Sequence, residues 1–471
     1  MTYRADIDIL RAVAVVSVVL HHAGLALPGG FIGVDIFFVI SGYLITGLLW
    51  NEARSGRISL MRFYERRIRR IFPALFVMIA VSSLFAAALF LPGHLAEFGV
   101  SAAAASVFLA NVHFYSATGY FSEAAQLKPL LHTWSLAVEE QFYILFPPLL
   151  LLLLRIGSGR IVAGLLAGLA AISFALSLMA MRTDPAAAFY LPHMRAWQLL
   201  VGAALAIAMA DLRLATLLAR AARPLRGAGA LLILGGLVFL SDADPYPGWR
   251  ALTPCLGAAL IIAAGPAATP KLLTPAVFVG RMSYSLYLWH WPVMVFVSYR
   301  LVDPLSVVEA WACVALSFII AAASWRWVEQ PFRTASWPAP LVYRTSGRAM
   351  AVVAALGAGL YFAKGLPQRL PGDLVRLAAG EGLLHDRRDC HFVTPERAAS
   401  GDVCLRGDPS ARPSFVLVGD SHADAVSPGL FSAASALGLR GAQYTQSGFL
   451  PLPGVAKQGA PGRDRAAAAF V

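Results

Sequence analysis

Residues 6–24 read DIDILRAVAVVSVVLHHAG, and residues 28–46 read PGGFIGVDIFFVISGYLIT. Each is an apolar run with a few ionisable side chains set into it, and each is about as long as the roughly 20 helical residues that span a hydrocarbon layer of about 30 Å. Separated by a short Gly/Pro-containing turn, they read as two neighbouring membrane helices. The pattern recurs along the chain, giving twelve apolar segments near 8–26, 30–50, 71–91, 98–114, 136–154, 161–181, 194–210, 228–241, 250–265, 281–300, 306–328 and 349–363. Of the 471 residues, 58% are apolar and only 14% charged, whereas a soluble domain carries roughly a quarter charged residues. An ordinary soluble enzyme is excluded, and the fold class is an α-helical polytopic membrane protein. The net charge of +12 belongs to cytoplasmic loops under the positive-inside rule rather than to a nucleic-acid surface.

Segment 98–114 is short, Ala-rich and followed by polar residues, which marks it as a re-entrant or interfacial helix and leaves about eleven transmembrane helices. Arginine placement tests that choice. With the amino terminus in the cytoplasm, the stretch carrying Arg54, Arg57, Arg62, Arg66, Arg67, Arg69 and Arg70 falls inside, as do those near 211–227 and 329–348. The opposite loops near 23–29, 92–130, 182–193, 242–249 and 301–305 hold only Lys128 and Arg182. The carboxyl-terminal region is then outside. The first helix is expected to stay in the membrane, because Asp8, Arg11, His21 and His22 interrupt what would be a signal peptide's apolar region.

Ionisable residues inside membrane helices are costly and mark functional sites by default. Arg11 and His22 are eleven residues apart, so they lie on one helix face about 16 Å apart along the axis. His21 points elsewhere. His132, Ser135 and Glu139 follow at i, i+3 and i+7, one stripe of a helix descending from outside, and a carboxylate and an imidazole on one stripe suit proton transfer. Glu140 faces away from it. Asp35 reads first as an interhelical partner for an arginine and second as a substrate contact, with Ser41 and Gly42 allowing close helix approach. His290, two residues before Pro292 in SYSLYLWHWP, either lines a cavity or packs among aromatics. The cluster Arg66, Arg67, Arg69 and Arg70 in FYERRIRRIFPA suits bidentate phosphate contacts or, alternatively, topology signalling and anionic-lipid contact. Arg195 reads as a snorkelling anchor at an outer helix end. No metal-ligand spacing is present.

The strings DIDILRAVAVVSVVLHHAG, PGGFIGVDIFFVISGYLIT, FYERRIRRIFPA, LLHTWSLAVEEQFYILFP, SYSLYLWHWP and WRWVEQPFR together resemble the acyltransferase-3 family of bacterial membrane O-acyltransferases across about residues 4–335. That resemblance implies an acyl-CoA donor, usually acetyl-CoA, with no bound cofactor. It also implies a cell-surface glycan as acceptor, such as lipopolysaccharide O-antigen, exopolysaccharide or peptidoglycan. The setting it implies is the bacterial inner membrane. Arg11 and His22 match the family's essential arginine and histidine; the R-x-x-R pair matches either Arg66/Arg69 or Arg67/Arg70. His22, with Glu139, would serve the acceptor hydroxyl, and the arginine cluster the donor phosphates. The alternative is a transporter or flippase that binds glycan or acyl groups without covalent chemistry.

The resulting domain plan is 1–335 for the transmembrane acyltransferase unit, 336–365 for a linker and last helix, 366–412 for an extracytoplasmic linker, and 413–471 for a partial α/β domain. Cys390 and Cys404 bracket a polar stretch and read as a disulfide if that stretch is outside the cytoplasm; Cys255 and Cys313 read as inert core thiols. PSFVLVGDSHAD at 413–424 reads as a short buried strand ending in a tight turn. It resembles the first block of SGNH-hydrolase-like domains fused to acyltransferase-3 proteins, with Ser421 as the nucleophile and Gly448 in the second block. After His422 there is no histidine and no G-x-N-D string. The expectation is a truncated, catalytically silent and poorly ordered tail.

Overall fold

Every apolar run becomes helix, because a backbone in hydrocarbon must satisfy its own hydrogen bonds. The computed structural model describes residues 3–25, 27–56, 58–117, 127–267, 270–301, 304–372, 374–375, 390 and 404–445. It divides into one unit spanning Met1–Leu366 and a second spanning Pro367–Val471. The first unit begins with α1 (Ala5–His22), α2 (Gly33–Arg54), α3 (Leu60–Leu89), α4 (Pro92–Ser106), α5 (Ala110–Ser116) and α6 (Thr133–Ile156). Next come α7 (Gly159–Thr183), α8 (Pro185–Tyr190), α9 (Pro192–Ala208), α10 (Leu212–Arg220), α11 (Ala222–Phe239) and α12 (Leu252–Ala263). The unit closes with α13 (Thr274–Arg281), α14 (Ser283–Ser298), α15 (Val307–Ser324), a π-helical turn at Trp325–Glu329, α16 (Gln330–Thr334) and α17 (Ala339–Phe362). Among the described residues six helices are long and apolar enough to cross a membrane, or seven if the bent pair Pro185–Ala208 and Leu212–Arg220 is one span.

The arginine-rich stretch is helix rather than loop. Ser59 caps α3 by accepting from the Arg62 N–H, and the following Arg and Glu residues are good helix formers. Arg62, Arg66, Arg67, Arg69 and Arg70 therefore lie on the first turns of a 30-residue helix, and the helix geometry sends them to different sides.

The crossing of α2 and α9 organises the unit. Neither Gly42 nor Gly202 has room for a β-carbon: Gly42 lies on the Leu199 carbonyl and Gly202 on the Val39 carbonyl, the close approach that small residues permit. Beside it Asp35, 0% exposed, accepts from Arg195 at 3.0 Å, from Gln198 and from the Tyr246 hydroxyl. The reading of Arg195 is corrected, while Asp35 has the arginine partner on another helix that its first reading gave it. Arg195 is not a snorkelling anchor but is 1% exposed, with its guanidinium over Trp134 and Phe189 at 5.3 and 5.1 Å. Asp35 borders the outer cavity described below, yet its carboxylate is engaged in holding helices together rather than being offered to a substrate.

Segment 98–114 is broken. Phe108 takes a left-handed φ of 56° between α4 and α5, and a Ser101–His113 hydrogen bond of 3.2 Å ties the two limbs together. Irregular backbone at membrane depth is tolerated only where protein satisfies it; here Gln141 of α6 donates to the Phe108 carbonyl at 2.8 Å and to Asn111 Oδ1 at 2.8 Å. Gly99 of α4 and Gly357 of α17 meet backbone to backbone.

In the second unit β1 (Cys404–Gly407), β2 (Pro413–Gly419) and β3 (Arg440–Thr445) form a sheet in the order β1-β3-β2, with α18 (Ser421–Ala436) between the last two strands. β2 runs parallel to β3, and β1 antiparallel to it. Where a poorly ordered tail was expected, residues 404–445 form this β-α-β arrangement. β2 is not a buried strand as read from sequence, since Val416 and Val418 are exposed; α18 packs on the sheet through Phe431 against Phe415. Cys390 and Cys404 are disulfide-bonded, and Cys255 and Cys313 are free and buried. Gly448 lies outside the described residues.

Removing one partner of a buried ion pair leaves an uncompensated charge. Asp35→Ala is thus expected to cost about 3–5 kcal/mol, read as a lower thermal unfolding midpoint in detergent. An unchanged midpoint would show that the pair does not hold α2 to α9.

Candidate active site

Five helices bring the ionisable residues of the membrane unit together. A cavity of about 360 Å3, the outer one under the topology expected from sequence, is bordered by His22 at the end of α1, His132 just before α6, and Tyr287 and Trp291 of α14. His22 Nδ1 lies 2.9 Å from His290 Nε2, with ring planes only 2° apart and centroids 5.2 Å apart, a geometry compatible with an in-plane N–H···N bond. The other nitrogen of His290 lies 2.7 Å from the Tyr287 carbonyl. Trp291 meets the His22 ring edge-on at 4.6 Å, and its own N–H donates to the Lys128 carbonyl at 2.8 Å. His132 is 3% exposed, and neither of its ring nitrogens makes a well-formed hydrogen bond among the described residues. His21 also borders this cavity, which sequence reasoning did not expect; its ring is held between the Leu27 carbonyl and Asp242, each at 3.3 Å.

One layer deeper, a cavity of about 70 Å3 is bordered by Arg11, Ser41, Arg70, Ser135, Glu139 and Tyr284. Tyr287 borders this cavity as well as the outer one, and its hydroxyl meets Ser135 Oγ at 2.5 Å and donates to the His132 carbonyl at 3.1 Å. A single phenol with its serine partner thus stands between the histidine layer and the arginine layer. Glu139 accepts from Ser41 and from Tyr143, while Arg11 pairs with Asp8 at 3.2 Å. A neighbouring cavity of about 70 Å3 adds Arg67 and Glu140, with the Arg67 guanidinium over the Tyr143 ring at 5.4 Å.

The arginine cluster divides. Arg67 and Arg70 face inward beside Arg11. Arg66 is bound to Glu52 at 2.7 Å, and Arg69 to Glu65 at 2.7 Å and to the carbonyls of Ala335 and Trp337. All four arginines were expected to bind substrate; successive positions on a helix point about 100° apart, and the structure sets Arg67 and Arg70 on these cavities while Arg66 and Arg69 have partners away from them. His132, Ser135 and Glu139 descend in order from the outer cavity to the inner one. Sequence reasoning missed Tyr287 and Tyr143; the clue for Tyr287 was its position three residues before His290. It also missed the π turn that carries buried Glu329 to the Ser285 hydroxyl at 3.0 Å.

Residues 4–326 match the family described as acyltransferase domain, and residues 389–471 match that described as SGNH domain fused to AT3 domains.

The chain belongs to the acyltransferase-3 family.

This acyltransferase-3 chain is 35% identical over 351 residues to peptidoglycan O-acetyltransferase OatA of Listeria monocytogenes, covering 70% of this chain and 56% of that protein. It is 33% identical over 347 residues to O-acetyltransferase OatA of Staphylococcus aureus, covering 70% and 57%. To the putative membrane-bound transacylase BcsY of Komagataeibacter xylinus it is 34% identical over 362 residues, covering 75% and 89%. The chain thus spans little more than half the length of the two OatA proteins. No solved structure matches it. In the SGNH part of this acyltransferase-3 chain, Ser421 begins α18 with only Asp420 between it and the end of β2, at a strand-to-helix turn. The neighbouring His422 is not aimed at it: the ring lies against the Asp420 carboxylate at 3.2 Å. The His422 N–H donating to that carboxylate holds Asp420 below the usual carboxylate range.

Proposed function

We propose that this chain is a membrane O-acyltransferase that moves an acyl group, an acetyl group first among candidates, from acyl-CoA on the cytoplasmic side to a hydroxyl of a cell-surface glycan. Lipopolysaccharide, exopolysaccharide and peptidoglycan all offer such hydroxyls, and the name of the Listeria relative favours peptidoglycan. The observation that carries the reading is the layering of one site: imidazoles on a roomy outer cavity and guanidinium groups on the cavities beneath.

The chemistry follows from that order. The acceptor oxygen forms the ester bond to the acyl carbonyl carbon, the thioester C–S bond breaks, and the hydroxyl proton goes to His22 and from there to the departing thiolate. Arg67 and Arg70, with Arg11, supply charge-assisted contacts to the donor's phosphates. Glu139, held by Ser41 and Tyr143, fixes the wall between α2 and α6. In this reading α1, α2, α3, α6, α7, α9, α11, α12, α14, α15 and α17 are the eleven crossings of the bacterial cytoplasmic membrane. The broken α4–α5 pair is re-entrant, the amino terminus is inside, and the tail is outside. Support comes from the arginine asymmetry, from the Ser101–His113 tie, and from the disulfide in the tail.

Membranes holding the protein are expected to release free CoA from acetyl-CoA only when an acceptor glycan is supplied. A transporter would release none. Arg67→Ala and Arg70→Ala should each raise the KM for acetyl-CoA about tenfold or more, the loss of a hydrogen bond to a charged group being roughly 1.5–3 kcal/mol, whereas Arg66→Ala and Arg69→Ala should leave it unchanged. Equal shifts in all four would reduce the cluster to net charge.

Topology is read separately. A reporter fused after residue 370 should be active outside the cytoplasm and one at 215–225 inside; a cytoplasmic distal fusion would make 98–114 a full crossing.

A further inference from the structure

The proposed transfer needs His22 to present a lone pair, not a proton, to the acceptor hydroxyl, and an imidazole has two tautomers of which only one does so in a given direction. The surroundings of His290 decide between them. Its Nδ1 lies 2.7 Å from the Tyr287 carbonyl. A carbonyl oxygen only accepts, so Nδ1 of His290 carries the proton, and the neutral ring has its lone pair on Nε2. That lone pair lies 2.9 Å from His22 Nδ1. Two bare nitrogens at this distance would repel, so His22 Nδ1 must be the donor. The proton of neutral His22 is thereby committed to His290, and Nε2 is left bare. Among the described residues nothing hydrogen-bonds to that Nε2, and His22 borders the outer cavity.

From this chain of hydrogen bonds we infer that His290 is a positioning residue: it locks His22 in the tautomer whose Nε2 accepts the proton of the acceptor hydroxyl. His290 is 0% exposed, so neither water nor substrate competes for its bond to His22. When the hydroxyl proton arrives on Nε2, His22 becomes an imidazolium whose Nδ1–H is already bonded to His290, and the charge is held without rearrangement. Among the described residues no carboxylate is hydrogen-bonded to either ring, which distinguishes the pair from a carboxylate-oriented histidine. The inference rests on the proposed transfer for its purpose, but the tautomer itself is measurable without turnover.

The test is nitrogen NMR on the full-length protein in lipid nanodiscs with labelled histidine, the His22 signals being assigned by their loss in His22→Gln. Wild-type His22 should show a protonated Nδ1 and an unprotonated Nε2. In His290→Phe the lock is gone; the Nε2–H form should appear, and kcat should fall by about 10²–10⁴, the range of a lost general base, with the KM for acetyl-CoA unchanged. His290→Gln has a side-chain oxygen that accepts from Nδ1–H, so it should restore the wild-type tautomer and recover activity above the Phe variant. A proton on Nε2 of wild-type His22, or Gln and Phe variants with the same tautomer and the same kcat, overturns the inference. Absence of any CoA release by wild-type protein would instead overturn the transfer reading, leaving the tautomer result to stand or fall alone.

Discussion

The buried pair of Asp35 and Arg195 fixes the frame in which everything else sits. A carboxylate and a guanidinium removed from water hold each other only with good geometry and further hydrogen bonds, and here Gln198, Tyr246 and the Phe189 carbonyl complete the set. The pair binds α2 to α9 where Gly42 and Gly202 let the backbones touch. Six residues farther along α2 from Asp35, Ser41 meets Glu139 of α6. Through Trp134, which lies under the Arg195 guanidinium, the start of α6 and with it His132 are tied to the same frame. Asp35 borders the first cavity itself, and through these contacts a change there reaches the deeper one as well.

The site also obeys the rule that polar groups in a membrane must find protein partners. Fixed partners hold the residues that have a structural task, such as Arg66 with Glu52 and Arg69 with the carbonyls after α16. A group bordering the deeper cavity keeps capacity to spare: Arg70 has no ion pair among the described residues. Unspent donors facing a cavity are what a polar substrate needs. The division separates residues of the same type within one short string, which composition alone does not do.

Helices were legible because their signal is local. Each of the twelve apolar runs appears as helix, and 98–114 stood apart as short, Ala-rich sequence running into polar residues, although its break at Phe108 carried no sequence signal. The arginine run was read as a loop because its charge suggested water, yet its cap and helix-forming residues decide its conformation. Partnerships across long separations were not legible. Arg195 looked like an anchor because Asp35 lies 160 residues away, and His290 was left between cavity wall and packing because His22 is 268 residues away. Tyr287 was lost in an aromatic-rich string where a phenol looks like packing; only the fold turns its hydroxyl between two cavities. In the tail, the cysteine pair was readable from the change in composition around it. The sheet was underestimated because β1 and β3 carry little periodic apolar signal.

Whether His22 is the base for O-acylation of a surface glycan is read from mass spectrometry of glycans from cells making either wild-type protein or His22→Ala at equal membrane abundance. Ester-linked acyl groups are expected on the glycan of the first cells and none on that of the second. Equal acylation in both would rule His22 out as the base.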